Sequence, residues 1–355
     1  MLYHCTHWCK DHYYTLFDNA LWQKEMAGIP FDAEAMKSLS KTNDGPIWVA
    51  WWQGINDQTP PVVRACIDSI RRHANGREVI IITKDNYSQY ADIDPTLVRR
   101  RAAGTLTINA FCNALRVMLL YNHGGVWLDS TLYLTEDLSE DFGRYPFYSI
   151  NAKSAEYPWA TYCLASAPGN PLMKYIYDCF VKVFSTIDAV PEYFLFDAFI
   201  FNAYTHIPQV TAMIDAVPRN NSGSFDLSEQ LAQTTAHPVL PADTYINKLT
   251  YKLSYPTRVD GKPTLFQHVL DGECEMGKTT QKTTHCFGFV VLHYLVDEET
   301  TQCVESIRKH CASAVAAGQQ YKIVIVDNDS ANGSYERLCQ RYGDDDDIVL
   351  LHNRA

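Results

Sequence analysis

Between Pro46 and Thr131, short apolar runs alternate with stretches of helical spacing, joined by only a few polar residues. That alternation constrains the fold more than any other feature of the chain. Pro46-Ile47-Trp48-Val49-Ala50-Trp51-Trp52 is short, apolar and aromatic, and it reads as a buried strand. Pro60-Pro61 opens a helix that runs to about His73, because proline is tolerated in a first helical turn. Asn75-Gly76 ends it. Residues 78–83 form a second apolar strand and 109–122 a second helix. After Gly124-Gly125, Val126-Trp127-Leu128 is a third strand. Strands and helices alternating through short connections predict an α/β fold with a parallel sheet. Ligands of such open sheets bind outside the carboxyl ends of the strands. Two segments sit at such ends here, Trp52-Gln53-Gly54 and Asp129-Ser130-Thr131.

The flanking regions are less regular. Residues 1–44 read as a helical preface, with helical spacing over 13–27. In the middle, 147–151 and 161–165 read as strands, and 171–185, 192–204 and 227–234 as helices. Residues 273–285 are polar and without periodicity, which predicts a linker. The pattern then restarts: strand at 287–292, helix at 300–317, strand at 321–326, helix at 333–342, strand at 348–351. This is a second βαβαβ unit with no sequel, and a piece of that size builds only a thin core. The expected organisation is a preface at 1–44, a main domain at 45–272, a linker at 273–285 and a partial unit at 286–355.

Composition excludes several classes. Hydrophobic residues make up 46% and charged residues 20%, a globular balance rather than a disordered one. A net charge of −11 is the wrong sign for nucleic acid, whose binding rests on neutralising phosphates. No run approaches the ~20 apolar residues of a membrane span. Eleven cysteines are scattered without a repeated short spacing, and the first residues lack the basic and apolar regions of a signal peptide. The expectation is reduced thiols in the cytoplasm. His4, Cys5, His7, Cys9 and His12 cluster near the start, but their spacing fits no standard zinc pattern.

The chemistry concentrates in residues 113–131. Asn113 and Arg116 are three apart and share a helix face. Gly124-Gly125 permits a tight turn that a residue with Cβ makes poorly. The turn feeds a buried strand whose end presents Asp129, so an arginine and an acid converge at one sheet edge. Such a pair suits a sugar nucleotide, with Arg for ribose or phosphate and Asp for sugar hydroxyls or a metal held against a diphosphate. The same spacing also permits a plain salt bridge between Arg116 and Asp129.

The segment Cys112-Asn113-Ala114-Leu115-Arg116, then Gly124-Gly125-Val126-Trp127-Leu128-Asp129-Ser130-Thr131, resembles the donor-site signature of glycosyltransferase family 32. It looks closest to the capsular polysaccharide synthesis branch of these DXD-type sugar transferases. Trp48 to Trp52-Gln53-Gly54, Pro60-Pro61, and Tyr193-Phe194-Leu195-Phe196-Asp197 match as flanking features, so the resemblance spans about residues 45–270. It implies a GT-A fold, a Rossmann-like nucleotide-diphospho-sugar transferase domain. It implies transfer of a sugar, with retention, from a nucleotide sugar (UDP being the expected nucleotide) to a glycan or lipid-linked acceptor in surface polysaccharide synthesis. Arg116 would contact the donor nucleotide, with Asn113, Ser130 and Thr131 beside it. Asp129 would meet the donor sugar or a divalent metal, Mn²⁺ or Mg²⁺. Trp52 and Gln53 would lie near the base, and Asp197 would face the acceptor or the reaction centre. Work at the inner face of the membrane, by peripheral association, fits such acceptors.

Two departures from the family pattern matter. Asn113 stands where the family usually has Asp, and Thr131 replaces the second acid of DXD. The latter removes a hard anionic ligand. Lys248, Lys252 and Arg258 are then candidate cations for the leaving diphosphate.

The tail resembles the opening of a family 2 glycosyltransferase, on Phe289 to Tyr294 and on Ile323-Val324-Ile325-Val326-Asp327-Asn328-Asp329-Ser330. Asp327 or Asp329 would lie at the nucleotide, but the match stops before that family's DXD and base, which predicts no activity for this unit alone. The acidic run 344–347 reads as a solvated loop. Two rival functions remain. A dinucleotide oxidoreductase needs Gly-x-Gly-x-x-Gly after the first strand, and only Gly54 is present. A non-catalytic sugar-nucleotide or glycan binding protein, descended from a transferase, is favoured by Asn113, Thr131 and the partial tail.

Overall fold

The computed structural model describes residues 28–40, 42–152, 157–186, 195–274, 286–316, 320–343, 345 and 347–353. The helical preface over 13–27, the His4–His12 cluster, most of the linker and the first residues of the 192–204 helix lie outside the described residues. The chain divides into two compact units, Met1–Gly277 and Lys278–Ala355.

In the first unit the order is α1 (Ala33–Ser38), β1 (Ile47–Ala50), α2 (Pro61–Arg72), β2 (Val79–Ile82), α3 (Pro95–Ala102), α4 (Ile108–His123), β3 (Gly125–Leu128) and β4 (Leu132–Leu134). It continues through α5 (Asp141–Arg144), β5 (Phe147–Ser149), β6 (Cys163–Ser166), α6 (Pro171–Thr186), α7 (Leu195–His206), α8 (Pro208–Asp215), α9 (Asp226–Gln230), β7 (Ile246–Lys248), β8 (Arg258–Val259), β9 (Lys262–Pro263) and α10 (Leu265–Asp271). The main sheet has the order β2-β1-β3-β6-β5. β1 is parallel to β2 and β3, as the alternation predicts, whereas β6 runs antiparallel to both of its neighbours. The sheet is therefore mixed, a feature that short apolar runs do not encode.

The core is built from these strands and the helices against them. Ile47, Trp48, Val49, Val126, Trp127 and Leu128 are buried, as are Ala114, Leu115, Val117, Leu119 and Leu120 of α4. Each fully buried large side chain contributes about 1.5–3 kcal/mol of transfer free energy. Thr107 caps α4, its hydroxyl accepting from the Ala110 amide at 3.2 Å. Gly124 ends the helix at φ +65°, and Gly125 follows at φ +95°. A Cβ on Gly125 would fall 2.2 Å from the Pro46 carbonyl oxygen, and one on Gly124 would fall 2.7 Å from Pro168 Cδ. Both glycines are thus required by conformation and by space. Asn43, fully buried, clasps the same turn. Its Nδ2 donates to the Gly125 carbonyl at 2.9 Å and its Oδ1 accepts from the Gly125 amide at 2.6 Å.

The second unit contains β10 (Cys286–His293), α11 (Asp297–Ala316), β11 (Gln320–Asp327), α12 (Ser334–Tyr342) and β12 (Ile348–His352). Its strands form a parallel sheet in the order β10-β11-β12. Val291, Ile323 and Ile325 pack against Val304, Leu338 and Tyr342 of the two helices. Val290, Leu292, Val349 and Leu351 point the other way and are exposed. The core is thin because, among the described residues of this unit, the helices cover only one face of the sheet. The acidic run is not purely solvated: Arg308 of α11 pairs with Asp345 at 2.6 Å and Asp347 at 2.7 Å.

Candidate active site

The site forms at the carboxyl edge of β3, where β6 runs back beside β3 and β7 pairs with β4. Leu128 is the last residue of β3, and Asp129 follows it. Val126 pairs with Ile47 and Trp127 with Trp48, so the carboxyl ends of β1 and β3 lie at the same edge. β6 runs backward beside β3, with Cys163 opposite Leu128, and this brings the residues just before it to Asp129. The Asp129 amide donates to the Tyr162 carbonyl at 3.0 Å. Beyond Asp129 the chain turns into β4, which pairs antiparallel with β7, Leu132 opposite Lys248. That pairing delivers the Lys248 side chain to Asp129.

Asp129 is held from two sides. Oδ1 accepts from Trp127 Nε1 at 2.9 Å and from an Arg116 guanidinium nitrogen at 3.2 Å. Oδ2 accepts from Lys248 Nζ at 2.7 Å, and the same ammonium donates to Thr131 Oγ1 at 2.8 Å. Burial pushes the Asp129 carboxyl up. The charges of Lys248 and Arg116, with the hydrogen bonds from Lys248 and Trp127, outweigh that effect and leave it below the ordinary aspartate value. The carboxylate is therefore ionised at neutral pH. Its side chain remains 28% exposed and that of Lys248 20%, so the pair faces solvent at the sheet edge.

Arg116 is placed differently. Its side chain is only 8% exposed. One nitrogen donates to the Thr161 carbonyl, and the guanidinium stacks 4.5 Å from the centre of the Trp127 ring, with Phe196 at 5.4 Å on α7. A planar, always charged group in such a packed slot orients its carboxylate rigidly. Thr161 extends the network, its hydroxyl donating to Asp197 Oδ2 at 3.4 Å. Burial pushes the Cys112 thiol, next to this network on α4, up to about 12, so it is neutral.

The fold thus gathers Arg116, Asp129, Thr131 and Asp197, the last through Thr161. Ser130 is half-buried between Asp129 and Thr131, and Asn113 is half-buried one turn before Arg116. Trp52 packs in an aromatic cluster with Tyr87 and Phe111, each ring centre at 5.4 Å, and Phe111 belongs to the helix that carries Arg116. Gln53 is exposed beside it. Of the candidate cations, Lys248 reaches the site, while Lys252 and Arg258 are exposed and Arg258 donates to the Gly261 carbonyl. Sequence reasoning missed Thr161, Trp127 and Tyr162 as site residues. Tyr162 faces the Lys248 ammonium at 5.2 Å. Trp127 could have been found from its place two residues before Asp129 on one strand face, whereas Thr161 and Tyr162 come in through the antiparallel pairing of β6 with β3, which no local spacing announces.

A hard divalent cation fits this arrangement poorly. Magnesium sites are often completed by one or two carboxylates together with substrate phosphates, so ligand count alone does not decide. Charge counts against it: the Lys248 ammonium lies 2.7 Å from Asp129 Oδ2 and 2.8 Å from Thr131 Oγ1, so a divalent ion on those oxygens would stand beside a fixed cation. Among the described residues no group of three His, Cys, Asp or Glu could hold a metal ion.

The fold and site define a mixed α/β protein with a parallel-rich sheet and a charged cluster at the carboxyl edge of its strands. The chain belongs to the capsular polysaccharide synthesis protein family, whose model matches residues 12–269. It is also similar to a solved structure described as PaToxG glycosyltransferase, at 14% identity and a TM-score of 0.37, covering 59% of this chain and 81% of that one. No curated protein matches it. Among the described residues no helix is long and apolar enough to cross a membrane.

Proposed function

We propose that the first unit is a GT-A-type glycosyltransferase, moving a sugar from a nucleoside diphosphate donor to a glycan or lipid-linked acceptor in surface polysaccharide synthesis. The observation that carries this reading is the ionised Asp129 at the strand edge, gripped by Arg116 and Lys248 in a member of the capsular polysaccharide synthesis family. Trp52 and Gln53 lie toward the base, and Asn113, Ser130 and Thr131 line the donor side. Arg116 acts through Asp129, fixing its position and adding positive charge beneath it.

In the reaction the bond from the anomeric carbon to the diphosphate oxygen breaks, and its electron pair stays on that oxygen. The acceptor hydroxyl oxygen bonds to the anomeric carbon from the same face, and its proton passes to the departing diphosphate. Asp129 holds the donor sugar through its hydroxyls, and Asp197 orients the acceptor. The catalytic gain is electrostatic and positional, with charges fixed in advance of the reaction. The free thiols among the described residues suit a cytoplasmic protein, one that works at the inner face of the membrane when its acceptor is lipid-linked.

The test is turnover. The wild type should release UDP or GDP from a panel of donor sugars, and Asp129→Asn, folded to the same extent, should not. Donor binding with no turnover on any acceptor would instead support a non-catalytic sugar-nucleotide binding protein.

A further inference from the structure

We propose that Lys248 is the built-in cation of the donor site, taking the place that a divalent metal would hold against the diphosphate, so that the donor binds without metal. The inference rests on the donor-site reading above and adds to it the residue that meets the leaving group and the metal requirement.

The geometry makes the argument. Lys248 Nζ bridges Asp129 Oδ2 at 2.7 Å and Thr131 Oγ1 at 2.8 Å. Those two residues hold the first and third positions of the acid-x-acid pattern, whose carboxylates would otherwise share a hard cation. Here the third position is a threonine and the charge it would have neutralised is absent, while a fixed positive charge comes from β7. A metal entering between Asp129 and Thr131 would have to displace the ammonium from both oxygens and would then stand beside it, two cations in one small space. Arg116 on Oδ1 adds a second positive charge to the same carboxylate. Arg116 answers the charge of Asp129 from the Oδ1 side, so the Lys248 ammonium on Oδ2 keeps charge and a donor for a diphosphate.

The ammonium has the means to meet a phosphate. It carries three N–H donors, two of them directed to Asp129 and Thr131. Its side chain is still 20% exposed at the sheet edge. The aliphatic stem is anchored by the strand: the Lys248 amide donates to the Ser224 carbonyl at 2.6 Å, and the Tyr162 ring lies 5.2 Å from the ammonium. A lysine so placed is pre-organised and loses little freedom when the donor arrives. Lysine is a recognised phosphate binder as a point charge.

The experiment is calorimetric titration of the full chain with UDP, GDP and UMP, in EDTA and in Mn²⁺, for the wild type, Lys248→Met and Lys248→Arg. The wild type is expected to bind a nucleoside diphosphate with the same affinity, within about twofold, in EDTA and in Mn²⁺. Lys248→Met should lose at least about tenfold in affinity for the diphosphate and much less for UMP, the loss of one charge-assisted hydrogen bond. Lys248→Arg should recover most of it. If Lys248→Met does not fold, the wild-type comparison and Lys248→Arg carry the test. Diphosphate binding that vanishes in EDTA would overturn the inference and leave the donor site standing. Equal losses for UMP and the diphosphate would also overturn it. Failure of UDP and GDP to bind in either condition would overturn the donor-site reading and this inference together.

Discussion

Lys248 Nζ lies 2.7 Å from Asp129 Oδ2 although 119 residues separate the two in the chain. The contact exists because β7 pairs with β4, which begins three residues after Asp129. It joins the carboxylate to a cation and thereby ties the central acid to the fold as well as to the chemistry.

Asp129 therefore titrates as a stabilising group. Its folded pKa lies below the ordinary value, so its contribution is fully present above the unfolded aspartate pKa of about 3.9 and is lost as pH falls through the lower folded value. The melting temperature of the wild type should exceed that of Asp129→Asn by a constant margin around neutral pH, and the margin should shrink below about pH 4. Thermal unfolding of both proteins across pH checks this, and a margin that grew on acidification would contradict it.

Arg116 should matter to the fold, because it packs beneath Asp129 against the Trp127 ring. Its replacement by Met strips a buried charge from Asp129 and leaves the Thr161 carbonyl without that donor. Because Lys248 still pairs with the part-exposed Asp129, the loss is that of charge-assisted hydrogen bonds, about 1.5–3 kcal/mol. Urea unfolding should show a loss of that order. Lys at this position should restore only part, because it lacks the planar fork that stacks on Trp127.

The Gly124-Gly125 turn should tolerate no side chain. Both residues have positive φ, and a Cβ on Gly125 would meet the Pro46 carbonyl oxygen at 2.2 Å. Gly125→Ala should cost more than the ~1 kcal/mol of an ordinary glycine replacement. Differential scanning calorimetry would register it, and transfer should fall with it, since this turn aims Asp129.

The second unit should be silent in donor binding. Asp327 is fully buried, with His352 Nε2 at 3.3 Å, and its carboxylate accepts from the Ser330 amide at 3.1 Å. Asp327→Asn in the full chain should leave UDP and GDP affinity unchanged by calorimetry. A loss of more than about threefold, beyond the few tenths of a kcal/mol by which independent sites normally couple, would show that this unit takes part.

Much of the architecture was legible in local pattern. The apolar runs at β1, β2 and β3 and the periodic segments at α2 and α4 announce themselves because burial imposes a period on each element separately. Arg116, Gly124, Gly125 and Asp129 stand within one helix, turn and strand, so their convergence could be read from spacing. What tertiary structure alone decided is the company Asp129 keeps. The reversed β6 brings Thr161 and Tyr162, and the pairing of β4 with β7 brings Lys248. Strand direction and long-range pairing depend on how the elements pack together in space, and a window of neighbouring residues carries no record of that. The sequence alone thus determined that an acid would stand at the end of β3. Only the folded chain determined that a lysine would stand against it, because the two meet through a sheet register rather than through any local spacing.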